Sequence, residues 1–130
     1  IDRDIIMVCT GTGVAPFRSM IRDLEKNSVP HQNIHLIYGS RYANNILYQD
    51  EFEDWAASSD QHHYSVALSR ESYHEFQGYV HEIYKKEYSK PDPNRKFYLC
   101  GWSAMIDEAV ETLILELGYD KKQILYELYD

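Results

Sequence analysis

An apolar run, Ile5-Ile6-Met7-Val8, enters the stretch Cys9-Thr10-Gly11-Thr12-Gly13, and a helical pattern leaves it through Val14-Ala15-Pro16-Phe17-Arg18. This strand–turn–helix junction constrains the fold more than any other feature. Two glycines let the backbone come close to a ligand, and the following helix turns unpaired N–H groups and a positive dipole end towards an anion. Pro16 suits the first helical turn, where its missing N–H leaves no bond unmade. Phe17, Met20, Ile21 and Leu24 recur at helical spacing and make the face that packs on a sheet. The junction alone fits two readings. Gly11-x-Gly13-x-x-Pro16 lacks the third glycine of the dinucleotide fingerprint, so a tight turn without ligand suits it as well as a nucleotide site does.

The same grammar repeats downstream. Ile34 to Tyr38 reads as a buried strand ending at Gly39-Ser40, and a helix from about Leu47 to Ser58 carries Tyr48, Phe52, Trp55 and Ala56 on one face. His63 to Leu68 is a third strand, ending at Ser69-Arg70. A polar loop from Glu71 to Gly78 leads to a helix over Val80 to Tyr88, and Pro91 and Pro93 then mark a turn. Lys96 to Cys100 is the fourth strand and stops at Gly101. Ser103 is expected to cap the longest helix, with Ile106, Val110, Leu113, Ile114 and Leu117 inward and Gly118 ending it. Ile124 to Leu128 is the last strand. Five strands alternating with four helices predict an α/β fold: a three-layer open parallel sheet with helices on both faces. Strand order 3-2-1-4-5 puts Thr10 to Gly13 beside Cys100 to Ser103 where the winding reverses, with Cys9 and Cys100 near the rim of one crevice. A flavodoxin-like order also fits the pattern, without the acidic and Ser/Thr phosphate features its loops would carry.

Composition narrows the function classes. At 130 residues the chain is one domain, and its formal charge of -8 argues against nucleic acid or an anionic membrane as partner. No run approaches the ~18 apolar residues of a membrane span, and no signal segment opens the chain, so a cytoplasmic protein is expected. The two cysteines read as reduced thiols, and the 12 tyrosines as amphipathic packing positions whose hydroxyls reach water. The six histidines read as surface residues, with no metal site. Asp50, Glu51, Glu53 and Asp54 read as a solvated helix face or as a dock for a basic partner.

With these elements placed, the whole chain resembles the nucleotide-binding domain of the ferredoxin/flavodoxin–NADP reductase family. The resemblance rests on Gly11 to Ser19, Leu47-Tyr48-x-x-Glu51-Phe52, Ser69-Arg70-Glu71, Tyr98-Leu99-Cys100-Gly101 with Met105, and Tyr126-Glu127-Leu128-Tyr129. It implies that Thr10, Gly11, Thr12, Gly13, Ala15 and Pro16 cradle the pyrophosphate, with Thr12 by the nicotinamide. Ser69 and Arg70 would clamp the 2′-phosphate of NADP, Tyr79 would stack on adenine, and Gly101 and Met105 would complete the cofactor site. Cys100 would shape the pocket beside nicotinamide C4 without acting as a nucleophile. Glu127 and Tyr129 would tune and cover the flavin. Two departures bear on this: Gln77 stands where plastid-type members carry lysine, and Asp130 follows Tyr129.

The resemblance further implies that residues 1–130 are the NADP(H)-binding domain and that FAD is held mainly by a barrel expected upstream. A ferredoxin or flavodoxin would exchange electrons with the complete enzyme, while the chain alone would catalyse nothing. The same module also occurs in oxygenase reductases and flavohaemoproteins, and a non-catalytic nucleotide-sensing or electron-transfer subunit is the reading from another class.

Overall fold

The computed structural model describes residues 2–70 and 78–128. Strand β1 (Asp4–Thr10) is buried from Ile5 onward because it lies at the sheet centre with helices on both sides. The chain continues through α1 (Val14–Lys26), β2 (Ile34–Ser40), α2 (Gln49–Ala57), β3 (His62–Leu68), α3 (Val80–Glu87), β4 (Arg95–Gly101), α4 (Ser103–Glu111) and β5 (Ile124–Leu128). All neighbouring strands are parallel, in the order β3-β2-β1-β4-β5, as the alternation of elements predicts. Ile5, Met7, Cys9 and Tyr38 pack on one face with Phe17 and Ile21 of α1 and Trp55 of α2. Ile6, Val8, Phe97 and Leu99 pack on the other with Ile83 of α3 and Ile106 of α4.

Several local expectations are corrected. α2 starts at Gln49 rather than near Leu47, because Tyr48 adopts a left-handed backbone with φ of 58°. Ser103 does not cap α4: the extended residue Trp102 precedes the helix and Ser103 is already helical. Beyond Glu111 the helix widens into a π turn over Thr112–Glu116, where the Leu117 N–H donates to the Thr112 carbonyl at 3.0 Å. The histidines do not all lie on the surface. His35 and His81 are buried, His35 holding Tyr88 Oη at 2.6 Å and Ser65 Oγ at 2.8 Å. Tyr38, Tyr84 and Tyr119 are buried too, and the hydroxyls of Tyr38 and Tyr119 donate to backbone carbonyls rather than to water. Part of the acidic face is committed, since Arg18 holds Glu51 through two bonds of 2.7 and 2.9 Å and ties α1 to α2.

Candidate functional site

Gly11 has φ of +56° and begins a 3-10 turn, Gly11–Gly13, that runs straight into α1. The Tyr38 hydroxyl donates to the Gly11 carbonyl at 2.8 Å and pins that turn to β2. Gly13 is glycine for a different reason. Its backbone is helical, but a Cβ there would stand 2.4 Å from the Cys100 carbonyl oxygen, so the second glycine lets α1 start against the end of β4. At Gly101, φ is +152° and a Cβ would stand 2.4 Å from Thr10 Oγ1. The loops that follow β1 and β4 therefore touch through glycine at both crossings.

A cavity of about 290 Å³ opens at the carboxyl ends of β1, β2 and β3, on the α3/α4 side of the sheet. Of the residues singled out from the sequence, Thr10, Ser69, Arg70, Tyr79 and Met105 line it. Thr10 Oγ1 is buried with no hydrogen-bond partner among the described residues, which leaves it free to bond a ligand. Ladder bonding continues past the sheet: Ser69 N–H donates to Ser40 O, and Arg70 N–H to Arg41 O, each at 3.0 Å. This sets Arg41 and Arg70 side by side. Tyr79 is exposed on an extended backbone just before α3, and Gly78 N–H closes the loop onto Leu68 O at 2.8 Å.

Sequence reasoning missed Arg41, Trp102, His81 and Glu108, which line the same cavity. The Arg41 guanidinium lies 5.6 Å from the Trp102 ring centre, and that ring packs over Gly11. Arg41 follows Gly39-Ser40 at the end of β2, the one strand end of the four whose loop was not nominated, so its signal was present. His81 Nε2 meets Glu108 Oε2 at 3.0 Å and joins the two helices that wall the cavity. Burial lowers the His81 pKa, and the Glu108 carboxylate opposes that shift.

Other nominated residues lie elsewhere. Thr12 and Ala15 are exposed and Pro16 is half-buried, and none of the three lines the cavity. Cys100 is paired with Cys9 across β1 and β4, and its side chain packs on the α1 face, opposite the cavity. Cys9 is wholly buried beneath the rim rather than at it. Burial, with the Glu127 carboxylate adding to it, pushes the Cys100 thiol up to about 11, and burial raises Cys9 well above its ordinary value. Neither is a thiolate nucleophile at neutral pH. Glu127 is exposed and stands opposite Cys100 in the β4–β5 register. Tyr129 and Gln77 lie outside the described residues.

Two cations, two hydroxyls and an exposed aromatic ring make a donor set in the cavity that fits a phosphorylated nucleotide, while the Gly11–Gly13 turn and the start of α1 lie outside its lining. A larger cleft, of about 450 Å³, lies near the amino ends of β2 and β3, but no lysine, arginine or glycine lines it. Phosphate chemistry therefore favours the carboxyl-end cavity over that cleft. No described helix is long and apolar enough to cross a membrane.

The family model for the oxidoreductase NAD-binding domain matches residues 7–111. Ferredoxin–NADP reductase B of Sorangium cellulosum is 35% identical over 133 residues, covering 96% of this chain and 54% of the relative. A component of the Na(+)-translocating NADH-quinone reductase of Yersinia pestis is 28% identical, covering 97% of this chain and 32% of that component. The chain thus spans about half or less of the curated relatives it matches. A ferredoxin NADP+ reductase from Neisseria gonorrhoeae, solved with bound FAD and NADP, shares the fold with a TM-score of 0.81 at 22% identity, over 97% of this chain and 56% of that one.

Proposed function

The chain belongs to the oxidoreductase NAD-binding domain family, and from that premise we propose that it is the NADP(H)-binding domain of a flavin-dependent ferredoxin or flavodoxin reductase. The observation that carries this reading is the pairing of Arg41 and Arg70 beside Ser69 at the ends of β2 and β3. An NAD-specific fold places an acidic residue there to hold the ribose hydroxyls, whereas two guanidinium groups and a hydroxyl suit a dianionic 2′-phosphate.

In this reading the Gly11–Gly13 turn and the start of α1 hold the pyrophosphate, Thr10 Oγ1 donates to the bound nucleotide, and Tyr79 lies against the adenine. Nicotinamide and flavin together supply hydride transfer, between nicotinamide C4 and flavin N5. The protein's share is positioning and electrostatics. Cys100, held neutral on the α1 face beneath the end of β4, supplies no charge to the reacting ring, and Glu127 sets the potential at the neighbouring sheet edge. Tyr129 would cover the flavin. FAD is held mainly by a further domain of the complete protein, which works in the cytoplasm and passes electrons to a small redox protein.

Titration of the chain with 2′-phospho-AMP and AMP tests this. We expect clear preference for 2′-phospho-AMP, and Arg70→Ala to reduce that preference by about tenfold to a hundredfold, the worth of one or two hydrogen bonds to a charged group. Equal affinity of the unaltered chain for the two nucleotides would overturn NADP in favour of NAD.

A further inference from the structure

His31, in the turn before β2, and His62, the first residue of β3, meet at the far end of the sheet from the nucleotide cavity. Their Nε2 atoms are 3.4 Å apart, the ring centres 5.2 Å apart and the ring planes inclined by 24°, so the two rings meet through their Nε2 corners. Both Nδ1 atoms face acceptors: His31 Nδ1 lies 2.6 Å from Gln32 O, and His62 Nδ1 lies 2.9 Å from Trp55 O and 3.2 Å from Ser58 Oγ, whose own hydroxyl donates to Trp55 O. A carbonyl oxygen only accepts, so each Nδ1 carries the proton and each neutral ring keeps a bare lone pair on Nε2. Trp55 stacks on His62 at 4.4 Å and 13°, which fixes that ring. Two lone pairs thus converge where they would repel unless a cation lies between them.

We propose that His31 and His62 bind a divalent transition-metal ion of the zinc and nickel class. Two imidazole nitrogens, each ~2.05 Å from a tetrahedral ion, stand ~3.3 Å apart, which matches the observed separation. Carbonyl acceptors on both Nδ1 atoms are the outer contacts that hold ligating histidines in the correct tautomer. Among the described residues no group of three or more ligating side chains gathers, so water completes the coordination. The ion ties the turn before β2 to the start of β3 and, through Trp55, to the end of α2. Thirty-one positions separate the two histidines, which is why no spacing motif announces the pair.

Isothermal titration of the chain with Zn²⁺ is expected to show one ion per chain. His31→Ala and His62→Ala should each weaken binding at least tenfold, while His63→Ala leaves it unchanged. Ni²⁺ should quench Trp55 fluorescence in a Trp102→Phe background, and His31→Ala should abolish that quenching. If His62→Ala fails to fold, His31→Ala decides, since it alters only a partly exposed turn. Absence of binding at millimolar Zn²⁺ would overturn the site and leave a shared proton only between the rings, and undiminished binding in His31→Ala would place the ion elsewhere. Nucleotide affinity should be the same with and without Zn²⁺, so this test stands apart from the nucleotide titration.

Discussion

The two ends of the sheet treat their polar groups differently. At the carboxyl end, Thr10 Oγ1 is buried without a partner among the described residues, and Arg41 and Arg70 line an open cavity. At the amino end most polar side chains bind one another, Arg95 Nε being the buried donor left without a hydrogen-bond partner among the described residues. His35 holds Tyr88 and Ser65, Arg95 donates to Tyr119 Oη and Lys90 O, and Gln123 donates to Asp92 O and Arg95 O. A buried polar group is costly unless bonded, so an end that satisfies its own donors contributes stability, and an end that leaves them open is prepared for a ligand.

The largest expected effect would break the carboxyl end outright. Gly13→Ala puts a Cβ against the Cys100 carbonyl, so α1 must move away from β4. We expect destabilisation of about 3 kcal/mol, read as a lower urea midpoint, together with loss of nucleotide binding. Unchanged stability would mean that the two loops do not meet.

The next effect tests the amino end through pH. Burial, with His63 adding to it, lowers the His35 pKa from 6.5 to about 4, and this outweighs the half-exposed Glu87 carboxylate 3.4 Å away. A base whose folded pKa is depressed contributes stability in full above pH 6.5, and that stability falls as pH drops towards 4. Urea unfolding should lose about 2 kcal/mol between about pH 6.5 and pH 5, and His35→Gln should flatten that slope.

The smallest effect sharpens the contrast most. Thr10→Val keeps the shape but removes the unbonded hydroxyl, so the chain should become more stable by about 1 kcal/mol while nucleotide binds about fivefold more weakly. A variant that loses stability would show that Thr10 serves the fold and not a ligand.

Much of this was legible in the residues. Hydrophobic runs ending in Gly11, Gly39 and Gly101 announce strands that stop at loops, and right-handed crossovers leave few ways to wind them. Ser69 and Arg70 follow the end of β3, and Tyr79 stands just before α3; all three were recognisable through the family resemblance. Ser103 misled, because a capping residue type does not say which backbone turns first, and Trp102 adopted the extended conformation instead. His35 and His81 misled because side-chain polarity says nothing about a hydroxyl or carboxylate that arrives from another element.

The sequence by itself determined the parallel α/β architecture, since alternation of apolar runs with amphipathic helices is a local property that each segment carries alone. It also determined where glycine had to lie along the chain. Only the tertiary structure decided why: Gly11 for a left-handed backbone, Gly13 for the approach of Cys100, and Gly101 for that of Thr10. Only folding set Arg41 beside Arg70, put Cys100 on the face away from the cavity, and turned His31 towards His62. Those pairings join residues dozens of positions apart, and the distance between two side chains on different elements exists only once register and helix placement are set.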